Sequence, residues 1–330
     1  MNTPEAQQNT PLPPRWIQAI GTGFNVIANN VHLIILPIIL DLFLWLGPHM
    51  RVKTLLEPYL SDLISVFAGA NSDALAFSES MQDLWQNLLT QFNLFSLLRT
   101  YPVGVPSFFA NASTIQTPFG TPMIIEMTST LQAALSMAGV TMVGLFLGTL
   151  YYNLVARAAT TMENSTNLWK NFLQTFALTL AMVLFLFILT IPFTLLLSIV
   201  ALIGPAYAQI MLILAGVLLI WMLVPLIFSA HGIYVFHQNA MISLLTSVRM
   251  VRFLLPGVST FIVISILLVM GLDLIWSIPG AESWMQLVGI AGHAFIASAV
   301  LASSFVYYRD GVHFMQETLR KWANQPATPA

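Results

Sequence analysis

The chain has 330 residues, of which 11 are Lys or Arg and 13 are Asp or Glu; apolar types make up 57% and mean hydropathy is +0.81. Charged residues come to 7%, against roughly 25% in an ordinary soluble domain, which excludes a water-soluble globule. Cysteine is absent, which excludes disulfides, thiolate metal sites and cysteine nucleophiles, and a net charge of −2 offers no basic face for nucleic acid.

Residues 1–14 (MNTPEAQQNTPLPP) are polar and Pro-rich without a positive n-region, so they read as a disordered N-terminal tail and not as a cleaved signal. A membrane domain is expected over 15–310. Its apolar stretches at about 31–48, 131–155, 173–203, 207–236, 254–277 and 284–308 each reach the length that one helical crossing takes. The first is the shortest and carries Pro37; the third is long enough to tilt, kink at Pro192 or begin as an interfacial turn. Gly204-Pro205 reads as a tight turn, which makes a hairpin of the third and fourth stretches. Residues 311–330 read as a cytoplasmic C-terminal tail. From Asn171 to Val248 there is no Asp, Glu, Lys or Arg. The predicted fold class is an all-α membrane protein of six transmembrane helices in three tandem hairpins, with an amphipathic-helical outer loop.

The tandem reading rests on recurring ends. The first stretch closes Asp41-Leu42-Phe43-Leu44-Trp45 and the fifth Asp273-Leu274-Ile275-Trp276. Even stretches end in Tyr151-Tyr152, in Tyr234 with Phe236, and in Tyr307-Tyr308. Short amphipathic segments (Trp16–Asn30, Asn167–Gln174, Ser243–Phe253) introduce the odd ones. The alternative is that Trp and Tyr recur at any membrane boundary. Charge-poor hairpins, each introduced by an interfacial turn such as Trp169-Lys170-Asn171-Phe172 or Arg252-Phe253, resemble bacterial six-helix membrane proteins of the YciC type and the membrane domain attached to some glycerophosphodiester phosphodiesterases. The resemblance covers most of 15–310 and implies a six-helix fold in a bacterial inner membrane. It carries over no catalytic residue, because that membrane domain is not the catalytic one. The long outer loop departs from it.

Arg15, Arg157, Lys170, Arg249, Arg252, Arg309, Arg320 and Lys321 fall on one side of this topology, while Arg51, Lys53 and Arg99 sit in the long loop opposite. Long loops count little in the positive-inside rule, so both termini are expected to be cytoplasmic. Within the loop, residues 49–130, two sets recur at helical spacing: Val52, Leu55, Leu56, Tyr59, Leu60, Leu63, Ile64 and Phe67, then Met81, Leu84, Trp85, Leu88, Leu89, Phe92 and Phe95, with Ser78 and Ser80 as candidate N-caps. Thr100–Pro122 reads as an irregular cap, and Asn111-Ala112-Ser113 matches a glycosylation sequon. The loop is either a docking platform or lid, or a structural cap on the bundle.

Ionisable groups inside hydrocarbon are costly and mark interior or water-facing positions. Asp41 and Asp273 are the two clear cases: a proton or cation site, or acids that reach interfacial water or a neighbouring helix. His293 is the candidate basic partner for either; His231 and His32 lie elsewhere, and no histidine pair has metal-ligand spacing. Gly144 with Gly148, and Ala294 with Ser298 and Ala302, mark close helix approach. Pro192 and Pro225 free backbone carbonyls that bind an ion or bend the helix. No GxSxG, HExxH or GxxxxGK[ST] occurs, and Gly21-Thr22-Gly23 lacks a third glycine. The expectation is a non-enzymatic membrane subunit without cofactor or metal, partnered by the bilayer and by other membrane subunits through the 49–130 loop. The competing reading is a small transporter coupled through Asp41, Asp273 and His293; an intramembrane lipid enzyme is the third class.

Overall fold

The computed structural model describes residues 13–68, 72–111, 116–160 and 167–324; the N-terminal tail to residue 12, and residues 112–113 of the sequon, lie outside them. Most of the described chain is helix, the arrangement that bonds every backbone N–H and C=O within an apolar segment where water cannot.

Helix α1 (Trp16–Asn29) stops at Asn30, whose φ of −132° and ψ of 53° leave the helical region. A 3-10 turn, Val31–Ile34, leads into α2 (Ile35–Leu46), which has 12 residues. At about 1.5 Å per residue α2 is about 18 Å long, short of a hydrocarbon core of roughly 30 Å. The 31–48 stretch is therefore not a crossing helix by itself; Trp16–Asn29 and Val31–Leu46 are long and apolar enough only when taken together, as a pair bent by 92° that is either a broken span or a re-entrant loop. Pro37 is not the cause of the break. It sits in the first turn of α2, where a missing N–H removes no helical bond.

Five further runs among the described residues are long and apolar enough to cross: Thr130–Thr160, Leu168–Val200, Ala206–Val235, Leu255–Trp276 and Gln286–Ala323. The most apolar window of the second and of the third buries no residue. Helices that are apolar all round and uncovered by protein belong in lipid, so the protein is membrane-embedded. Helix α5 is Thr130–Thr160. Helix α6 (Leu168–Ile203) begins where the Asn167 side chain accepts the Trp169 N–H at 3.0 Å, and it continues through Pro192. The fourth run is interrupted: α7 (Pro205–Leu223) gives way to a 3-10 turn, Val224–Leu226, before the short α8 (His231–Val235). Pro225, with no N–H to donate, sits in the break. Helix α9 (Ala240–Phe253) supplies donors for the freed carbonyls. Ser247 donates to the Pro225 carbonyl at 2.7 Å, and Ser243 to that of Ser229 at 2.5 Å. Both carbonyls are thereby hydrogen-bonded across the break.

After α10 (Leu255–Trp276), α11 (Gln286–Ala323) runs well past residue 308 and through most of the segment expected as a tail. Its apolar face persists, with Val312 and Met315 buried while Glu317, Arg320 and Lys321 are exposed, so packing carries the helix on.

The 49–130 segment is an organised structure. Strand β1 (His49–Arg51) pairs in parallel with β2 (Ile124–Glu126), His49 opposite Ile124 and Arg51 opposite Glu126. The alternation was too short to announce these strands. Between them lie α3 (Lys53–Ala68) and α4 (Ser72–Gln91). Helix α4 starts at Ser72, so Ser78 and Ser80 are interior positions and not caps; Ala74, Leu75 and Ala76 are good helix formers ahead of them. Asn93 caps the 3-10 turn Leu94–Leu98, accepting the Phe95 N–H at 3.1 Å.

The chain forms two compact units. The first comprises residues up to Asn29, Val155–Ser265 and those from Ala299 on; the second comprises Asn30–Leu154 and Ile266–Ser298. In the first, Phe261 stacks on Tyr307 at 4.6 Å and Phe228 on Tyr308 at 5.9 Å. Gly23 there lies so close to Ala299 and Ser303 that a Cβ would overlap them. In the second, fully buried Trp45 stacks on Phe109 at 5.7 Å and donates to the Ala281 carbonyl at 2.8 Å.

Candidate functional site

The second unit gathers Asp41, Asp273 and His293. Asp41 belongs to the buried face of α2, with Leu40, Leu44 and Trp45, and is itself fully buried. Its oxygen Oδ1 accepts the Ser107 hydroxyl at 2.6 Å and the Phe109 N–H at 3.0 Å, and Oδ2 accepts the Phe108 N–H at 3.1 Å. Ser107 Oγ in turn accepts the Ala110 N–H at 3.0 Å. The carboxylate thus receives three donors at the start of the 3-10 turn Phe109–Asn111. Such a set occupies most of the carboxyl group's acceptor sites, and it fixes the turn to α2. Arg99 Nη1 donates to the Ser107 carbonyl at 3.1 Å, which holds the same segment from its other side.

Phe108 carries the arrangement onward. Its ring lies 5.6 Å from the His293 imidazole. His293 Nδ1 and Asp273 Oδ1 are hydrogen-bonded at 2.6 Å. The imidazole is 4% exposed and the carboxylate 29%. Asp273 lies near the C-terminal end of α10, where the helix dipole disfavours a negative charge, and the imidazole offsets that. His293 Nε2 is buried and has no partner among the described residues. Glycines make the approach possible: a Cβ on Gly292 would come within 2.7 Å of the Trp276 indole, and one on Gly289 within 2.9 Å of the Trp276 carbonyl.

The remaining sequence candidates fall elsewhere. His231 belongs to the first unit, where it is buried, hydrogen-bonds Ser304 Oγ at 2.8 Å through Nε2 and lies 4.6 Å from the Phe305 ring. His32 is exposed on the turn before α2. Gly144 and Gly148 both lie on α5. They receive the backbone of the outer segment, with a Cβ on Gly144 meeting Leu98 and one on Gly148 meeting Val103 and Gly104. Ala294, Ser298 and Ala302 are all buried, and Ser298 Oγ shares a 2.6 Å hydrogen bond with the Tyr151 hydroxyl of α5. Among the described residues no three His, Cys, Asp or Glu side chains gather to hold a metal.

Sequence reasoning missed Ser107, Phe108 and Gly292. Ser107 and Phe108 stand in an irregular segment whose course depends on contacts with a distant helix. Gly292 directly precedes His293 and is a small residue in an apolar run, the one signal that was available.

Asp41 accepts three hydrogen bonds, and Asp273 is hydrogen-bonded to His293, whose Nε2 has no partner among the described residues. No protein-family model, curated protein or solved structure matches this chain.

Proposed function

We propose that the protein is a non-enzymatic, multi-pass membrane subunit that assembles or regulates a membrane complex through its 49–130 segment. The observation that carries this reading is the three-donor coordination of Asp41, which commits the most deeply buried carboxylate to holding that segment in place. A segment so anchored, with its ends paired as β1 and β2, presents Leu56, Tyr59, Leu84, Trp85 and Leu88 exposed on α3 and α4. The same reading takes the broken Trp16–Leu46 pair as one crossing. That makes six spans in three tandem hairpins, both termini cytoplasmic, in a bacterial inner membrane as the YciC-type resemblance implies. Of the eleven basic residues only Arg51, Lys53 and Arg99 fall in the 49–130 segment, a bias in keeping with this orientation.

Co-purification in mild detergent tests the assembly role. The wild-type chain recovers a defined partner, and the Leu84→Ser, Trp85→Ser, Leu88→Ser triple variant loses it at unchanged abundance. A monomer that recovers nothing, or a triple variant that recovers the partner in full, overturns it.

One observation favours a second reading, a small transporter coupled to protons or cations: the buried, partnerless Nε2 of His293 beside its bond to Asp273. Asp273→Asn and His293→Gln then abolish ion-coupled uptake in proteoliposomes while leaving abundance intact. Full activity in both variants removes this reading.

A further inference from the structure

Two apolar cavities in the first unit, of about 300 and about 330 Å³, meet at Met222. Helix α6 lines one wall with Ala181, Phe185, Leu189 and Phe193, spaced every four residues and so on one face of the helix. From Ala181 to Phe193 the wall is about 18 Å long at roughly 1.5 Å per residue. One leaflet of the hydrocarbon core is about 15 Å, half of roughly 30 Å. The groove therefore matches the depth of a single leaflet, and the exposed indole of Trp221 lies along it.

Arg252, near the end of α9, lines the first cavity and not the second. Its guanidinium is exposed, and the ion pairs among the described residues do not include it. Neither cavity has an acidic residue in its lining. A leaflet-long apolar groove with an unpaired guanidinium at one end has the polarity of one phospholipid molecule. The planar fork of arginine bonds phosphate oxygens in pairs and prefers a headgroup that carries net negative charge. The lipid tail is the natural occupant of an apolar channel open to the bilayer.

We propose that this groove binds one anionic phospholipid, its phosphate on Arg252 and an acyl chain along the Ala181–Phe193 face of α6. The site is separate from the proposed assembly role and stands without it.

The test uses the full chain in neutral detergent, with dioleoylphosphatidylglycerol, dioleoylphosphatidylcholine or inorganic phosphate added. Bound lipid is read by native mass spectrometry and by the midpoint of thermal unfolding. Phosphatidylglycerol forms a one-to-one adduct and raises the midpoint, whereas phosphatidylcholine and phosphate do neither. Arg252→Gln weakens phosphatidylglycerol binding by about tenfold, the scale of one lost charge-assisted contact, while Arg249→Gln on the same helix leaves it unchanged. Gly216→Leu fills the second cavity from a position where a Cβ meets nothing within 4 Å. It lowers affinity several-fold with the lipid-free midpoint unchanged, and carries the test alone if Arg252→Gln lowers that midpoint. Equal binding of the two lipids, competition by phosphate, or wild-type affinity in either cavity variant overturns the proposal.

Discussion

Ser107 donates a 2.6 Å hydrogen bond to Asp41 across a sequence separation of 66 residues, and both side chains are buried. A carboxylate in that position acts as a peg for the outer segment, because the N–H groups of Phe108 and Phe109 close on it too. Asp41→Ala would leave three donors unsatisfied, two of them buried and that of Phe108 part-buried. At about 1–3 kcal/mol for each, destabilisation is on the order of 3 kcal/mol or more. Asp41→Asn keeps one acceptor oxygen but points an amide N–H at another donor, and should cost about 1–3 kcal/mol. Thermal unfolding in detergent, with proteolysis of the 99–111 segment as a local readout, checks both. An Asp41→Asn variant as stable as wild type would show that the carboxylate does not hold the loop.

The Gly292–Trp276 contact gives a second expectation. A methyl group at position 292 would press into the indole, whose bulk cannot swing aside as a flexible chain end can. Gly292→Ala should destabilise by about 1–3 kcal/mol. It should also separate Asp273 from His293, so that removing His293 costs less in that background than in wild type. Gly139 on α5 faces open space, and Gly139→Ala should be neutral or stabilising by up to about 1 kcal/mol. Unfolding midpoints of these variants, alone and combined with His293→Gln, decide the matter. Equal losses at positions 292 and 139 would contradict the packing argument.

These contacts also show what the sequence makes legible. Long apolar runs expose α5, α6, α7, α10 and α11, because a crossing helix must be apolar over its whole length. Asp273 and His293 stand out for the same reason, as ionisable groups within such runs. The break at Asn30 does not, since Asn is a common residue in loops and Pro37 draws attention to the wrong place. Gly144 and Gly148 mark a close approach, and the atoms nearest to a Cβ there belong to the backbone of Leu98, Val103 and Gly104. Asp41 is conspicuous as a residue while its partners are hidden. They come from an irregular segment 66, 67 and 68 residues away in the chain, beyond the reach of any local pattern.

His49, at the start of β1, is expected to make the outer segment acid-sensitive. It is buried, its backbone N–H donates to the Met123 carbonyl at 2.8 Å, and its ring Nε2 has no partner among the described residues. Burial holds the imidazole below its ordinary value of 6.5, and the Arg51 guanidinium adds to this against a backbone hydrogen bond at Leu44. A histidine depressed in the folded state binds its proton more readily when unfolded. Its contribution is therefore fully present above pH 6.5 and is lost as pH falls below it. Protonation would also place a second N–H donor where nothing accepts it. Unfolding midpoints measured from pH 8 down to pH 5 should fall more steeply for the wild-type chain than for His49→Gln, which cannot titrate. Parallel curves for the two would mean that His49 is as readily protonated in the folded protein as in the unfolded chain.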